Sequence, residues 1–274
     1  MPANIQPADE IPLFEYHAGR SPLVIAAPHV GTHLPAGIAA TMTPVGLRVG
    51  ETDYHVHRLF DFARDLEATT LWATHSRYVV DLNRDPESRA LYPGKFETAL
   101  CPLSDFDHNA LYLDGQAPDE AEIKRRRETW WQPYHAQLRA ALDAAKAAHG
   151  YALLIDAHSI RPSIPSLFDG RLPDLNFGMN DGRTASTALR ETVRHWGDSQ
   201  DAYSFVIDGR FKGGFTTRHY GRPDTRIHAL QIEIVQDRYL NMASPDLYDD
   251  DVAAPLSRAL RPLVERLLAA LSQI

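Results

Sequence analysis

Two short, mainly apolar runs, at residues 23–27 and 153–157, each lead into a histidine, His29 and His158. Runs of this length are typical of buried strands in a parallel sheet, although periodicity alone does not distinguish them from a buried helix. In open α/β sheets, ligands bind beyond the carboxyl ends of the strands. The chain has 13 histidines, so the position of these two at strand ends carries the interpretation. We expect them to face one pocket, and a pair of imidazoles there indicates a metal site.

The rest of the hydrophobic pattern alternates strand-like segments with amphipathic helices. It predicts further strands at 70–74, 78–82, 176–179, 203–207 and 227–235, and helices at 52–66, 119–149, 184–196 and 252–271. Pro133 is expected to kink or split the 119–149 helix. The segments 84–118, 161–173 and 208–221 are predicted to be irregular, with a loop or short helix at 36–40. Without repeats or a linker, the pattern predicts one doubly wound or mixed α/β domain over 1–274.

Composition narrows the class of protein. The formal net charge of −8 disfavours nucleic-acid binding as the main purpose. A single cysteine, Cys101, excludes an internal disulfide and fits a reducing compartment. No apolar stretch is long enough to span a bilayer, and the first residues lack the features of a signal peptide. We therefore expect a cytoplasmic protein whose partner is a small molecule, with neither nucleic acid nor membrane.

Carboxylates near the two histidines are candidates for the remaining metal chemistry. Asp53, at the start of the predicted 52–66 helix, is a candidate third ligand, and Glu51 competes with it. Helix capping alone would also explain an aspartate at that position. Asp156 lies two residues before His158, so in a strand both side chains point to the same side. Asp156 is thus a candidate hydrogen-bond partner of that histidine, or an alternative ligand.

Three further motifs suggest substrate binding or proton transfer. Asn83 and Arg84 follow the predicted 78–82 strand and suit a substrate carboxylate, although Arg84 could equally pair with Asp81 or Asp85. Glu233 interrupts an apolar strand, so it needs a buried partner or a catalytic role unless the strand is an exposed edge. Within 208–221, the side chains of Thr216, Arg218 and His219 add donors to a glycine-rich loop.

Together these segments resemble the N-formylglutamate amidohydrolase family. The resemblance lies in Pro28-His29-Val30-Gly31, Thr52-Asp53, the run from Ser76 through Arg77 to Arg84, Asp156-Ala157-His158-Ser159 and the region 213–233, and it extends over about 13–269. It implies a zinc-dependent amidohydrolase with a carboxypeptidase-like (phosphorylase/hydrolase-like) fold: a mostly parallel or mixed central sheet flanked by helices. It also implies hydrolysis of N-formyl-L-glutamate to formate and L-glutamate, the last step of one route of histidine degradation.

The resemblance assigns roles to the candidate residues. It implies one zinc ion per chain held by His29, Asp53 and His158, and Glu233 as general base. It implies that Asn83 and Arg84 hold a substrate carboxylate, and we also predict Arg77, Thr216 and Arg218 in the substrate site. Carboxypeptidases use a His-x-x-Glu motif, whereas Thr32 stands three residues after His29 here. The carboxylate ligand must therefore lie elsewhere, which leaves Asp53, with Glu51 in reserve.

Two other functions remain compatible with the sequence. One is a zinc deacylase that acts on another N-acyl amino acid, and the other is a metabolite-binding protein without catalysis. A serine or cysteine hydrolase is disfavoured, because no Gly-x-Ser-x-Gly elbow is present and Cys101 precedes Pro102 without an evident base.

Overall fold

A computed structural model describes residues 11–87, 89 and 97–273. Its seven strands form one sheet in the order β1-β3-β2-β4-β7-β5-β6. The four central strands β3, β2, β4 and β7 are parallel, β1 and β5 run antiparallel to their inner neighbours, and β6 is parallel to β5. The bounds are β1 Phe14–His17, β2 Leu23–Ala27, β3 Thr69–Ala73, β4 Ala152–Ile160, β5 Leu175–Gly178, β6 Phe205–Ile207 and β7 Ile227–Val235.

Helices cover both faces of this sheet. The α-helices are α1 Ala36–Ala39, α2 Glu120–Arg126, α3 Gln132–His149, α4 Thr187–Asp198, α5 Phe215–Tyr220 and α6 Asp250–Leu271. On one face, α4, α6 and a 3₁₀ helix over Val56–Arg64 bury their apolar residues against the sheet. On the other face, α3 packs over the central strands. The predicted α/β fold with a mixed central sheet flanked by helices is confirmed.

The predicted 119–149 helix is divided, as the proline indicated. Asp119 caps α2, because its side chain accepts the N–H of Glu122. A π-helical segment, Arg127–Trp131, separates α2 from α3. Pro133 is the second residue of α3, where a missing N–H is tolerated. Gly150 ends α3 with φ 81°, a left-handed conformation that glycine adopts without strain.

Several predicted elements are wrong. Residues 78–82 form buried turns and no strand, because Val79 N–H bonds Ser76 and Asp81 N–H bonds Leu100. Their apolar residues are buried in the core, which explains the strand-like pattern. The 208–221 segment contains α5, and the helical turns predicted from residue 52 begin at Val56 and are 3₁₀. The edge strand β1, largely exposed, was not predicted.

The parallel strands direct their carboxyl ends to one edge of the sheet. The strands β2, β4 and β7 are neighbours there, and His158 lies beside Glu233 in the β4–β7 register. Both of these long strands are buried throughout, which agrees with coverage of both faces by helices. Among the described residues, no helix is both long and apolar enough to cross a membrane.

Candidate metal centre

The structure brings His29, Asp53 and His158 together at this edge of the sheet. His29 follows β2, and His158 belongs to β4. Asp53 precedes the 3₁₀ helix, and its backbone N–H donates to the carbonyl oxygen of His29 at 2.9 Å. All three side chains are buried, and one candidate ligand atom from each lies within 4.8 Å of the others. Two separate strands and one turn therefore converge on a single point.

Both imidazoles turn the same ring nitrogen towards Asp53. Nδ1 of His158 lies 3.0 Å from Oδ2 of Asp53, and Nδ1 of His29 lies 3.8 Å from the same oxygen. The ring centroids are 4.8 Å apart. Two imidazoles and a carboxylate are a common ligand set of a catalytic zinc ion, which keeps a fourth position open.

The outer nitrogens of the two rings each meet a buried carboxylate. Nε2 of His29 lies 2.7 Å from Oδ1 of Asp81, and Nε2 of His158 lies 3.1 Å from Oδ1 of Asp156. A metal-binding histidine usually donates its second ring N–H to a carboxylate, which fixes the tautomer and the ring orientation. The same arrangement occurs here twice, so the donor set fits a divalent metal ion bound through the two Nδ1 atoms.

Charge around the centre also favours a cation. Burial opposes protonation of His158, but the Asp156 and Asp53 carboxylates outweigh it and raise the imidazole pKa well above its usual value. Burial and the nearby Arg77 guanidinium lower the pKa of His29. Despite burial, Arg77 and His29 hold the pKa of Asp81 well below its usual range. The carboxylates that stabilise a proton on His158 would stabilise a metal cation at the same place.

Glu51, the alternative ligand, lies on the wall of the pocket. Its Oε1 accepts the N–H of Phe106, and its Oε2 has no hydrogen-bond partner among the described residues. Burial raises its pKa to about 7. Of the two acids, only Asp53 belongs to the cluster with both imidazoles.

Glu233 is buried beside the cluster, in the central strand β7. The exposed-edge interpretation is wrong, since β7 has neighbours on both sides and only 6% of Glu233 is exposed. Burial raises its pKa to about 7, an effect that the neighbouring Asp53 adds to and His158 opposes. Gln231 donates its Nε2–H to Oε2 of Glu233 at 2.8 Å. A buried carboxylate with a raised pKa, next to three candidate metal ligands, suits a general base.

One pocket opens over the cluster and over Glu233. Besides Arg77, its wall carries three arginines from separate loops, Arg84, Arg161 and Arg210. Arg84 donates to the carbonyl and the hydroxyl of Thr98, at 3.0 and 3.1 Å. Other wall residues are Gly50, Glu51, Arg77, Asn83, Glu97, Thr98, Phe106, Ser159, Ile160, Ile164, Leu167, Phe211, Gly213, Gly214, Gln231 and Gln236.

Of the predicted substrate residues, Asn83 contacts the cluster itself, and Arg77 contacts Asp81, the carboxylate beside His29. Nδ2 of Asn83 lies 3.0 Å from Nε2 of His158, and Oδ1 of Asn83 accepts the N–H of Thr216 at 2.8 Å. Arg77 is buried and donates to Oδ2 of Asp81 at 2.6 Å. Asn83 therefore helps to position His158, and Arg77 helps to position His29 through Asp81. Both residues also line the pocket.

Thr216 and Arg218 are not among the residues that line this pocket in the described part of the chain. Thr216 is fully buried in α5, and Nε of Arg218 donates to the carbonyl of Gly213 at 2.8 Å. Sequence reasoning overlooked Arg161 and Arg210. Arg161 directly follows β4, three residues after His158, so the strand-end argument that selected His158 would also have selected Arg161. Arg210 lies in the segment after β6 and carried no comparable signal.

Two imidazoles and a carboxylate with a neighbouring glutamate are a donor set that metal-dependent hydrolases use. Sequence comparison identifies the family. The sequence profile of the N-formylglutamate amidohydrolase family matches residues 21–240. The chain therefore belongs to this family of hydrolases, which act on an amide.

Related proteins support this assignment over nearly the full chain. The N-formylglutamate deformylase of Pseudomonas putida is 42% identical and covers 94% of this chain and 96% of its own length. That of Pseudomonas aeruginosa is 44% identical, with 95% and 97% covered. The crystal structure of N-formylglutamate amidohydrolase from Ralstonia eutropha JMP134 superposes with a TM-score of 0.77 at 28% identity, covering 94% of this chain and 98% of that chain.

Proposed function

We propose that this protein hydrolyses N-formyl-L-glutamate to formate and L-glutamate with one zinc ion per chain. The observation that carries the proposal is the buried His29–Asp53–His158 cluster with Glu233 beside it. The names of the two Pseudomonas relatives supply the substrate. The final step of histidine degradation, a cytoplasmic location and a single domain over 1–274 remain predictions from the sequence.

The proposed reaction assigns a separate task to each group. His29, Asp53 and His158 would hold the zinc ion, and Asp81 and Asp156 orient the two imidazoles. The bound ion would supply polarisation of the formyl oxygen and a lowered pKa for a water molecule. Glu233 accepts a proton from the attacking water and delivers it to the amine nitrogen as the C–N bond breaks.

Arginines on the pocket wall support a dicarboxylate substrate. N-formyl-L-glutamate carries two carboxylates, and the arginines Arg84, Arg161 and Arg210 offer planar donors on the same pocket. The hydrogen bonds to Thr98 anchor one side of the Arg84 guanidinium, which preorganises this group for binding a carboxylate. Arg218 remains a predicted carboxylate partner from the sequence, although the described pocket wall does not include it.

A panel of N-acyl amino acids tests the proposal. Purified protein is assayed for release of the acyl group from N-formyl-L-glutamate, N-acetyl-L-aspartate and N-succinyl-L-glutamate, and its metal content is measured in parallel. We expect bound zinc and a clear preference for N-formyl-L-glutamate. Preference for another acyl group would instead indicate a related deacylase. Glutamate binding without turnover and without metal would indicate a metabolite-binding protein.

A further inference from the structure

The buried amide of Gln231 links Glu233 to Gly213 and Gly214, which border the pocket and are called the glycine turn below. Gln231 and Glu233 are two residues apart in β7, so their side chains point to the same side of the sheet. Oε1 of Gln231 accepts the N–H of Gly214 at 2.7 Å, and Nε2 of Gln231 donates to Oε2 of Glu233 at 2.8 Å. Both side chains are buried, at 4% and 6% exposure.

The backbone fixes which way this amide faces. The N–H of Gly214 can only donate, so the atom of Gln231 that meets it must be the oxygen. The amide nitrogen must then face Glu233. One oxygen of the Glu233 carboxylate is therefore always engaged by an N–H donor, and Oε1 is the oxygen that Gln231 leaves available.

The glycine turn is itself anchored. A side chain on Gly178 would lie 2.4 Å from the backbone nitrogen of Gly213, so strand β5 and the turn are packed backbone to backbone. The N–H of Phe215 bonds the carbonyl of Asn83 at 3.3 Å. Gln231 is bonded at one end to this anchored backbone and at the other end to Glu233, so it holds the Glu233 carboxylate in a fixed position.

We propose that Gln231 is the positioning residue of Glu233, holding Oε2 so that Oε1 is the oxygen that receives the proton of the attacking water. The proposal rests on the function proposed above. A carboxylate that can rotate freely must find the reactive orientation in each turnover, whereas a carboxylate held by one oxygen is preorganised for the transfer.

A double-mutant cycle between Gln231 and Glu233 tests this role. Four zinc-loaded proteins are compared on N-formyl-L-glutamate: wild type, Gln231→Met, Glu233→Gln and the double variant. Gln231→Met should lower kcat by roughly tenfold to a hundredfold, the effect of losing one hydrogen bond to a charged group, with KM and zinc content unchanged. In the Glu233→Gln background, the same substitution should change kcat by less than about threefold, since residues that act through one group are not additive.

Two further variants separate positioning from general damage to the fold. Gln231→Glu keeps the length of the side chain and an acceptor for Gly214, but it places a second carboxyl group beside Glu233; two carboxyl groups this close share a proton, which neutralises the base, so kcat should fall and its pH dependence should move to higher pH. Gln200→Met is the control, because Gln200 bonds Gly197 and Tyr203 in the turn after α4 and does not line the pocket. Its kcat should be unchanged.

Equal losses of kcat in both backgrounds, or a normal kcat in Gln231→Met, would overturn the proposal. A crystal structure of Gln231→Met provides an arm that does not depend on activity: the Glu233 carboxylate should rotate or become disordered, and an unmoved carboxylate would also overturn the proposal. If wild type releases no formate, the proposed function fails, and the crystal structure alone then decides whether Gln231 holds Glu233.

Discussion

Nε2 of His29 lies 2.7 Å from Oδ1 of Asp81, and Oδ2 of the same carboxylate receives an N–H of Arg77 at 2.6 Å. The Asp81 side chain is fully buried. Its position fixes the orientation of His29, so that Nδ1 of this ring faces Asp53. Asp156 stands in the same relation to His158. Two carboxylates that would not bind the metal therefore determine where its ligands point.

Replacing either of these carboxylates should weaken metal binding. Asp156→Asn and Asp81→Asn should each reduce zinc affinity roughly tenfold to a hundredfold, because the partner of a metal-binding histidine typically contributes that much. A competition titration against a zinc-binding dye measures the affinity. The control is Asp174→Asn, which alters a buried carboxylate paired with Arg171 and Arg238 outside the pocket. Unchanged affinity in both test variants would contradict the arrangement.

Glu233→Gln should retain metal and lose turnover. The substitution keeps the shape of the side chain and removes the oxygen that can take up a proton. A positioned general base contributes a factor of about 100 to 10,000, so kcat should fall by that order. Zinc content and KM should change little. Loss of zinc from this variant would make Glu233 a ligand, and a near-normal kcat would exclude it as the base.

Arg84→Lys should weaken binding of one substrate carboxylate. The lysine keeps the charge but lacks the planar fork that binds a carboxylate through two N–H groups. We expect kcat/KM for N-formyl-L-glutamate to fall roughly tenfold, the effect of one charge-assisted hydrogen bond. The loss should be smaller for whichever monoamide, N-formylglutamine or N-formylisoglutamine, lacks the carboxylate that Arg84 binds.

The exposed Arg261, which pairs with Asp65 and Glu265, provides a matched control for that substitution. Arg261→Lys should leave kcat/KM unchanged on all three compounds. If Arg84→Lys loses the same factor on all of them, Arg84 supports the loop through Thr98 and does not bind a carboxylate.

The free energy of unfolding should decrease as the pH is lowered, because of His135, a buried residue of α3. One ring nitrogen lies 2.8 Å from the carbonyl oxygen of Leu82 and the other 2.9 Å from the Tyr220 hydroxyl. Burial lowers the pKa of His135 from 6.5 to about 3. The folded state thus binds fewer protons than the unfolded state between these values. The contribution of neutral His135 to the free energy of unfolding is fully present above pH 6.5. It declines as the pH falls towards 3, by up to about 1.4 kcal/mol per pH unit.

The comparison of wild type with His135→Gln isolates this effect. Urea unfolding is measured with EDTA present, so that metal release does not contribute. Between pH 6.5 and roughly 4.5, wild type should lose about 2 kcal/mol more unfolding free energy than the variant. Parallel losses in the two proteins would show that folding does not lower the pKa of His135.

The sequence was most informative where strands are buried on both faces. The runs ending near His29 and His158 are almost wholly apolar because helices cover both sides of the sheet, and that pattern located the pocket. The rule that parallel strands end at one edge then placed the two histidines together. Glu233 could be found in the same way, because a charge in a fully buried strand is conspicuous.

The surroundings of those residues depended on turns that a hydrophobic pattern does not encode. Asp81 appeared to lie in a strand, but the turn after Arg77 directs its carboxylate to His29. The choice between Glu51 and Asp53, two residues apart, depends on the backbone hydrogen bond from Asp53 to His29. Arg210 reaches the pocket from a loop far along the chain, so only the folded structure could bring it into view.

The dependence of formate release on zinc tests the central claim most directly. Protein stripped with a chelator is titrated with zinc, and formate release from N-formyl-L-glutamate is measured at each step. The stripped protein should be inactive, and activity should rise in proportion to added zinc up to about one ion per chain. His158→Ala should not recover at the same zinc concentrations. Full activity in the stripped protein, or none after zinc loading, would contradict the account.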